Sequence, residues 1–545
     1  MGLNTSMWAG VSGLLAHGER MGLIGNNLAN VNTVGYKGSN MYFMDLLSQN
    51  VGTAAGTGQI GSGVRIGAIY GDFSQGGFET TNEALDMAIG GNGFFMVKEK
   101  SLVSSNGSQL NSGDQTQYYT RAGNFRFDKD GYLVDPHGYA VQGWEVDRDR
   151  IRSNTASGVA TADVPVKGTL QDVRLDQFQI PAQATENLTV ITNLDDGETD
   201  HTADAANPFF ALASQWNGTK ASSGGSAIAD TAYAYQSTVK VYDQNGTPHD
   251  VTIYYDKVTV SNSGGKQYWE YIVTCNPLED GRTLGGVKMA GSSSAGLLMM
   301  GTLTFDSAGT LENISAFTLQ SNTAPAGLSS WTSASVDNGY PSFTANFRQV
   351  SNASVTNASN ARNISLNLGV RNPSGFTSPV ADASLVGTNQ NNLPYFNTAT
   401  MRINTNVTTN YSTSSTTVFN SQDGYPAGLL TGVSVDQDGI ITGTFSNGQI
   451  QELWAVGLAD FTNPWGLRRE GGNLFSETQD SGQGTTGRAN TGRLGSISGN
   501  ALETSNVDMA SEMVDMILTQ RGFQANSKTI TTADSMLAEV IQLKR

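Results

Sequence analysis

Both ends of the chain carry apolar residues at alternating intervals of four and three. Of the nine positions that this stride visits from Leu3 to Val31, seven are apolar, and of the ten from Met509 to Ile541, seven are apolar. The apolar positions are Leu3, Met7, Leu14, Met21, Ile24, Leu28 and Val31 in the first segment and Met509, Met513, Met516, Phe523, Ile530, Leu537 and Ile541 in the second. This seven-residue repeat predicts an amphipathic helix at each end, with a coiled-coil seam along one face.

Local signals mark the limits of both helices. Residues 30–35 (NVNTVG) contain helix-stopping residues, and Ser505 with Asp508 spells an S-x-x-D capping box. A helix from Ser505 to Arg545 would be about 60 Å long at ~1.5 Å per residue, which is unusual for a globular protein. Two ordinary helices packed on a core are one interpretation. The matching seams favour a pair that still exposes Met and Leu and therefore packs against further copies, with the seam residues as the subunit contacts.

Between the helices the pattern changes to the period of two that is typical of β-strands. Four segments alternate apolar and polar residues around a turn signal that contains glycine. They are FRFDKDGYLVD (125–135), VYDQNGTPHDVTIYY (241–255), LTFDSAGTL (303–311) and VSVDQDGIITGTF (433–445). These hairpins predict an all-β interior. Residues 153–232 and 281–361 are rich in Ser, Thr, Asn, Ala and Gly, which indicates outer loops and short strands.

Composition narrows the class of protein. The 545 residues allow three to five compact units. With 31 Lys and Arg against 48 Asp and Glu the net charge is 31 − 48 = −17, so the chain lacks the basic surface that binds nucleic acid. Only 14% of residues are charged while 64 are Gly, which is typical of exported β-rich proteins with neutral surfaces.

Cysteine content and terminal signals bear on location. Cys275 is the only cysteine, so no intrachain disulfide can form. The first basic residue is Arg20, which leaves residues 1–16 without the charged region of a Sec-type signal peptide. Met1, Gly2 and Ser6 fit the loose myristoylation pattern, which is short enough to arise by chance. No apolar run approaches the ~18 residues of a membrane span, so we expect the body of the chain to be soluble.

Motifs for catalysis or for binding cofactors and metals are weak. Glycines 56, 58 and 61 spell G-x-G-x-x-G, but neither a preceding strand nor a following helix is indicated. The D-x-D-G turn at 128–131 resembles part of a calcium loop, yet an EF-hand register would place Arg126 and His137 at ligand positions. The four histidines are scattered, and the acidic pair Asp195 and Asp196 is better explained as an exposed turn. We therefore predict no catalytic residue, cofactor or metal.

Six segments resemble the bacterial flagellar rod and hook protein family. The most specific is NNLANVNTVGYK (26–37), which is similar to the N-terminal signature of that family. Residues 73–97 and 119–144 resemble its shared β-domain, and residues 445–467 and 502–530 resemble its C-terminal β-segment and terminal helix. Residues 241–257 (VYDQNGTPHDVTIYYDK) resemble a segment that hook proteins carry and short rod proteins lack.

The resemblance implies a structural subunit of the flagellar hook, without enzymatic activity. The subunit would polymerise into a curved, flexible tube that works as a universal joint between rod and filament. The implied partners are further copies of the chain, a rod protein at the proximal end, a hook-filament junction protein at the distal end, and the hook cap and export apparatus during assembly. The implied location is extracellular, after export without a cleaved signal peptide. The alternatives are a rod or junction protein of the same family, and an unrelated secreted β-rich adhesin or glycan-acting enzyme.

The expected fold is mainly β with long terminal α-helices, and its β-domains are nested and discontinuous. Residues 1–32 and 503–545 would form a helical coiled-coil domain, and residues 33–74 a connecting segment. Residues 75–150 and 420–502 would share one β-domain, while residues 151–419 form two outer β-domains.

Overall fold

A computed structural model describes residues 2–53, 56–100, 116–148, 150–151, 164–175, 178–260, 263–320, 327–348, 361–377 and 380–543. The chain forms two compact units, and the second is inserted in the first. Unit 1 contains Met1–Phe178, Leu430–Thr444 and Ile450–Arg545, and unit 2 contains Gln179–Leu429 and Phe445–Gln449. The predicted fold class, mainly β with terminal helices that pack together, is confirmed.

The elements follow one another through unit 1, unit 2 and unit 1 again. The first passage contains α1 (Gly2–Ala29), β1 (Ser39–Asp45), β2 (Gln49–Thr53), β3 (Gly56–Ile60), β4 (Val64–Gly71), β5 (Phe78–Thr80), β6 (Met87–Gly90), β7 (Phe94–Lys98), β8 (Gln117–Thr120), β9 (Arg126–Phe127), β10 (Leu133–Val134), β11 (Ala140–Glu145) and β12 (Gln171–Asp172).

Unit 2 contributes β13 (Gln179–Ile180), β14 (Asn187–Asn193), α2 (Ala211–Gln215), β15 (Tyr235–Tyr242), β16 (Pro248–Val258), β17 (Gln267–Cys275), β18 (Thr283–Leu284), β19 (Val287–Lys288), β20 (Leu297–Phe305), β21 (Leu311–Leu319), β22 (Trp331–Ser333), β23 (Ser335–Asp337), β24 (Tyr340–Ala345), β25 (Arg362–Asn367), β26 (Val370–Arg371), β27 (Phe376–Thr377), β28 (Tyr395–Phe396), β29 (Arg402–Ile403) and β30 (Thr416–Gln422).

The return passage contains β31 (Gly428–Val435), β32 (Ile440–Phe445), β33 (Ile450–Asp460), β34 (Arg468–Gly471), β35 (Leu474–Ser476), β36 (Thr485–Arg488), β37 (Ser496–Gly499), β38 (Ala501–Glu503) and α3 (Met509–Leu543). Short 3-10 turns occur at Gly218–Ser223, Leu328–Ser330, Ala383–Leu385, Gln390–Asn392 and Pro464–Gly466. Of the helices in the described part of the chain, none is both long and apolar enough to cross a membrane.

The sheet of unit 1 is built from both passages of the chain. Strand β33 runs antiparallel to β7 and β11, and β35 pairs with β8. Most of β33 is buried without interruption, as expected for a central strand covered on both faces. Its residues Trp454 and Val456 share a core with Phe95 and Val97 from the first passage. Neither passage alone therefore completes this core.

Unit 2 contains a six-stranded sheet, in the order β15-β16-β17-β20-β21-β22, and a five-stranded sheet, in the order β23-β24-β25-β14-β30. Both sheets contribute to one core, which includes Ile253, Trp269 and Leu366. The segment around α2 covers the other face of the six-stranded sheet, where Phe209 packs near Ile272. Strand β17 is consequently buried on both faces for almost its whole length.

The four predicted hairpins are confirmed, and they share one turn design. In each, an aspartate Oδ1 accepts the backbone N–H groups two and four residues later, and a glycine three residues later adopts the left-handed conformation that suits residues without a Cβ. The aspartate–glycine pairs are Asp128 and Gly131, Asp243 and Gly246, Asp306 and Gly309, and Asp436 and Gly439. The aspartate that suggested a calcium loop therefore holds a turn.

Two local expectations differ from the structure. Helix α3 begins at Met509, and the carboxylate of Asp508 accepts the N–H groups of Ala510 and Ser511. Ser505, predicted as the capping residue, accepts the N–H of Val507 instead, because residues 504–508 precede the first helical turn. The glycine motif at 56–61 lies largely on β3, which forms a hairpin with β2.

Candidate functional site

The terminal helices α1 and α3 pack antiparallel within unit 1, and small residues line their contact. A Cβ placed on Gly10 would lie 3.0 Å from Cγ1 of Ile530, and one placed on Gly13 would lie 2.8 Å from Nδ2 of Asn526. The contact also buries Ala16 on α1 and Ala533 on α3. Small residues let two helix backbones approach closely. The predicted seam contains Ile530, but its apolar positions did not mark the glycines that make the intrachain contact.

Polar side chains fix the register of the helix pair. Nη2 of Arg20 lies 3.3 Å from Oδ2 of Asp515, and Nδ2 of Asn27 donates to Oε1 of Glu512 at 2.9 Å. The ring of His17 packs edge-on to Phe43 on β1, with 5.5 Å between ring centroids. Burial, and then the charge of Arg20, lower the pKa of His17, which favours the neutral ring in this contact.

The predicted subunit-packing residues differ in exposure. Ile24 is buried, the side chain of Leu3 lies outside the described residues, and the remaining positions are half-buried or exposed. The half-buried side chains are Met7, Leu14, Met21, Leu28, Val31, Met516, Phe523, Ile530 and Leu537, and the exposed ones are Met509, Met513 and Ile541. Ile530 is partly covered by Gly10 of the same chain.

One surface of α3 is strongly apolar. Met509, Met513, Val514, Ile517 and Leu518 are each between 46% and 57% exposed, and we call them the outer face of α3. The i, i+4 spacing from Met509 through Met513 to Ile517 aligns them along one side of the helix. On α1, Trp8 and Leu15 are also exposed. Sequence reasoning identified Met509 and Met513 as seam residues but missed Val514, Ile517 and Leu518, which form an apolar stripe beside the seam.

The hairpin of β1 and β4 lies against α1 and extends this apolar surface. The hydroxyl of Ser12 on α1 accepts the backbone N–H of Val64 at 3.1 Å. Residues of β1 alternate, so that Phe43 faces α1 while Tyr42 points to solvent. Ile69 and Tyr70 on β4 are also about half exposed.

A buried ionic cluster joins the helix ends to the β-structure of unit 1, and we call it the basal junction. Nζ of Lys37 lies 2.6 Å from Oε1 of Glu503, and Nη1 of Arg121 lies 3.4 Å from Oε2 of the same carboxylate. The side chains of Lys37 and Glu503 are fully buried. Burial lowers the pKa of Lys37 and of Arg121, while the Glu503 carboxylate opposes both shifts. Sequence reasoning did not identify these three residues.

Residues of the N-terminal signature form hydrogen bonds around the basal junction. The hydroxyl of Tyr36 donates to Oδ1 of Asn26 at 2.8 Å, and Arg469 donates to the carbonyl of Lys37 at 2.6 Å. Oδ1 of Asn506 accepts the N–H of Gly38 at 2.8 Å. These bonds fix the end of α1 to the segment that leads into α3.

The described residues include no group of three or more His, Cys, Asp or Glu side chains placed to hold a metal ion. The features that the described residues do show are apolar area on the helices and the hairpin, and the buried ion pairs of the basal junction.

Four family models match the chain in succession. The model described as "Flagella basal body rod protein" matches residues 7–37, "Flagellar hook protein FlgE/F/G D1 domain" residues 88–193, "Flagellar basal body protein FlaE D2 domain" residues 215–425, and "Flagellar basal body rod FlgEFG protein C-terminal" residues 498–543. Lys37, Arg121 and Glu503 each fall in a different matched segment.

Whole-length relatives are also similar. The flagellar hook protein FlgE of Borreliella burgdorferi is 31% identical over 553 residues, which cover 99% of each chain. That of Treponema pallidum is 31% identical over 557 residues, again covering 99% of each chain. A crystal structure of Helicobacter pylori flagellar hook protein FlgE2 matches with a TM-score of 0.44 and 15% identity, over 78% of this chain and 100% of that chain.

Proposed function

The chain belongs to the flagellar hook protein FlgE family, and we propose from this membership that it is the structural subunit of a bacterial flagellar hook. The subunit polymerises into a curved, flexible tube that transmits torque from the rod to the filament. Its role is mechanical rather than catalytic.

The outer face of α3 is the observation that carries the proposed polymerisation. It exposes five large apolar side chains on a helix whose other side already contacts α1. Burying a large apolar side chain gains about 1.5–3 kcal/mol, so contact with a neighbouring copy would stabilise the assembly substantially. The exposed residues of α1 and of the β1–β4 hairpin lie in the same unit and enlarge the candidate contact surface.

Repeated head-to-tail contacts that do not close generate a helical tube. In this arrangement α1 and α3 would form an inner layer, to which the proposed seam residues contribute. Unit 2, with its neutral Ser, Thr and Asn surface, would belong to the outer layers. Such surfaces exchange hydrogen bonds with water at little net cost, which allows neighbours to slide as the tube bends.

The basal junction would carry load between the helices and the β-structure of unit 1. Lys37 follows α1, and Glu503 precedes α3, while Arg121 belongs to the β-structure. A buried charge without its partner is costly, so relative movement at this point is resisted. Torque received by the helices would therefore pass into the β-structure of unit 1 without a shift of the helices relative to that structure.

The finer parts of the proposal concern partners, location and domains. We propose a rod protein and a hook-filament junction protein as end partners, and the hook cap and export apparatus as partners during assembly. We propose export to the cell exterior through the flagellar secretion apparatus, without a cleaved signal peptide. The division of the chain into 1–32 with 503–545, 33–74, 75–150 with 420–502, and 151–419 is likewise a proposal. The compact units themselves change at residues 178/179, 429/430, 444/445 and 449/450.

The test replaces Met513 and Ile517 by Gln in one variant and measures the lowest protein concentration that forms tubes. Both side chains are about half exposed, so the unfolding of the monomer should be unchanged. A loss of ~1.4 kcal/mol per addition step raises the threshold concentration about tenfold. The matched control is Leu385→Gln in unit 2, which is similarly exposed and should assemble like the parent protein.

Electron micrographs of the parent polymer complete the test. Curved tubes support the hook assignment, whereas straight tubes or short complexes alone would point to a rod or junction role. If the Met513 and Ile517 variant assembles at the parent threshold, the outer face of α3 is not the contact surface.

A further inference from the structure

Two carboxyl groups lie against each other in the interior of unit 2. Asp256 on β16 and Glu270 on β17 are directly opposed in the antiparallel register. Asp256 is fully buried and Glu270 is 2% exposed. The hydroxyl oxygen of Thr202 lies between them, 2.8 Å from Oδ2 of Asp256 and 3.1 Å from Oε1 of Glu270.

Counting hydrogens shows that these carboxyl groups are not equivalent. The Thr202 hydroxyl has one hydrogen to donate, whereas an ionised carboxylate can only accept. Two ionised carboxylates would therefore share that single hydrogen in a buried site. If one carboxyl is protonated, its O–H donates to Thr202, and Thr202 donates to the other.

The neighbouring donors identify which group holds the proton. Asp256 receives the backbone N–H of His201 at 3.0 Å and the Thr202 hydroxyl, and its Oδ1 lies 2.8 Å from ring nitrogen Nδ1 of His201, which donates to it in the tautomer that carries the hydrogen on Nδ1. Besides Thr202, Glu270 receives the backbone N–H of Leu212 at 2.9 Å, on Oε2. With the ring hydrogen of His201 on Nδ1, both oxygens of Asp256 face donors, and Oε1 of Glu270 is the oxygen whose proton finds an acceptor in the Thr202 hydroxyl.

We propose that Glu270 is a protonated carboxylic acid at neutral pH, and that this proton fastens residues 200–212 to the six-stranded sheet of unit 2. The chain of hydrogen bonds runs from Glu270 through Thr202 to an ionised Asp256. The fastened segment includes Phe209 and Phe210, which are buried against the sheet. Losing the proton would place two negative charges side by side and loosen the segment that covers this core.

The surrounding charges agree with this assignment. Asp256 faces Glu270 from β16. From the fastened segment, the charge of Asp200 acts on Glu270, while His201 contacts Asp256. On the other side, β20 presents the uncharged Thr302. Burial, and then the charges of Asp256 and Asp200, raise the pKa of Glu270 well above its usual value, against the hydrogen bond from the backbone N–H of Leu212. Burial also raises the pKa of Asp256, while its three hydrogen bonds oppose that shift.

The sign of the pH dependence follows from the raised pKa. Between the unfolded pKa of about 4.3 and the higher folded value, the folded state binds more protons than the unfolded state. Stability from Glu270 is therefore full in acid and is lost as the pH rises. Within that window the unfolding equilibrium constant should increase about tenfold per pH unit from this one group.

Glu270→Gln and Asp256→Asn in the full chain test the proposal as a matched pair. The amide introduced by Glu270→Gln can donate to Thr202 and accept from Leu212, so in acid this variant should be as stable as the parent protein. As the pH rises, its unfolding equilibrium constant should lack the tenfold increase per pH unit that Glu270 contributes. The amide introduced by Asp256→Asn keeps one acceptor oxygen and turns its NH2 group toward the donors of the other oxygen, so at least one donor loses its acceptor and at pH 7 the unfolding constant of this variant should rise at least about tenfold. The unfolding constants of both variants and of the parent protein are measured by urea unfolding at a series of pH values between pH 5 and pH 9.

Infrared spectroscopy of the folded protein provides a reading that does not require a stable variant. The carbonyl band of a protonated carboxylic acid should be present in the parent protein at pH 7 and absent from Glu270→Gln. Absence of that band in the parent protein overturns the proposal. So does tolerance of Asp256→Asn together with strong destabilisation by Glu270→Gln, since that result would place the proton on Asp256.

Discussion

At the scale of single residues, sequence distance decides what could be predicted. The turn aspartates such as Asp128 bind N–H groups two and four residues away, so D-x-x-G was readable in the sequence. Lys37 and Glu503 are 466 positions apart, and only the folded chain brings them together. The family signature pointed to the segments that hold them, but not to the ionic contact.

Replacing Glu503 by Gln should strongly destabilise unit 1. The neutral amide would leave Lys37 and Arg121 buried without their shared carboxylate, and breaking a buried ion pair typically costs about 3–5 kcal/mol. Urea unfolding of the full chain should show an earlier transition for unit 1 alone. The control is Glu470→Gln, which alters the more exposed ion pair with Arg468. In this variant unit 1 should unfold at the same urea concentration as in the parent protein. Equal behaviour of the two variants would mean that the basal junction does not hold unit 1 together.

At the scale of elements, periodicity predicted the hairpins, the terminal helices and the pairing of those helices, but not the residues that make the contact. The seam through Leu3 and Met509 correctly placed α1 and α3, because amphipathic spacing is a local property. It did not predict that Gly10 and Gly13 would make the intrachain contact, since a glycine carries no apolar signal. Nor could the central position of β33 be predicted, because pairing with β7 and β11 depends on the return of the chain.

Gly13→Leu should separate α1 from α3, whereas Gly22→Leu on the same helix should not. At Gly13 even a Cβ would lie 2.8 Å from the Asn526 side chain, while nothing lies within 4 Å of a Cβ at Gly22. Leu is a better helix former than Gly by roughly 0.8–1 kcal/mol, so the control should if anything stabilise α1. Hydrogen exchange of residues 509–543 in the monomer measures the effect. Faster exchange in Gly22→Leu, or unchanged exchange in Gly13→Leu, would contradict the close helix contact.

At the scale of the whole molecule, the chain leaves unit 1 and returns to it at neighbouring points. The backbone N–H of Leu430 donates to the carbonyl of Phe178 at 2.8 Å. The large cores of unit 2 draw their residues from positions 188–396 and 209–393, entirely within the inserted segment. Insertions are tolerated where the two ends of the inserted segment lie close together.

Residues 179–429 should therefore fold alone, and unit 1 should fold when a short Gly-rich turn replaces them. The first fragment keeps both sheets of unit 2 and their buried aromatic residues, such as Trp269. The second keeps β33 between β7 and β11 and retains the terminal helices. Each should unfold cooperatively on heating and show near-ultraviolet circular dichroism from packed aromatic rings.

Residues 1–178 without the return passage provide the negative control, because this fragment lacks β33 and α3 and should not fold. The shortened unit 1 also separates folding from assembly, since it keeps the outer face of α3 and the β1–β4 hairpin. It should form polymers with a threshold concentration within about tenfold of the parent protein, which corresponds to a loss below ~1.4 kcal/mol per addition step. A folded but purely monomeric unit 1 would show that contacts of unit 2, rather than the terminal helices, drive polymerisation.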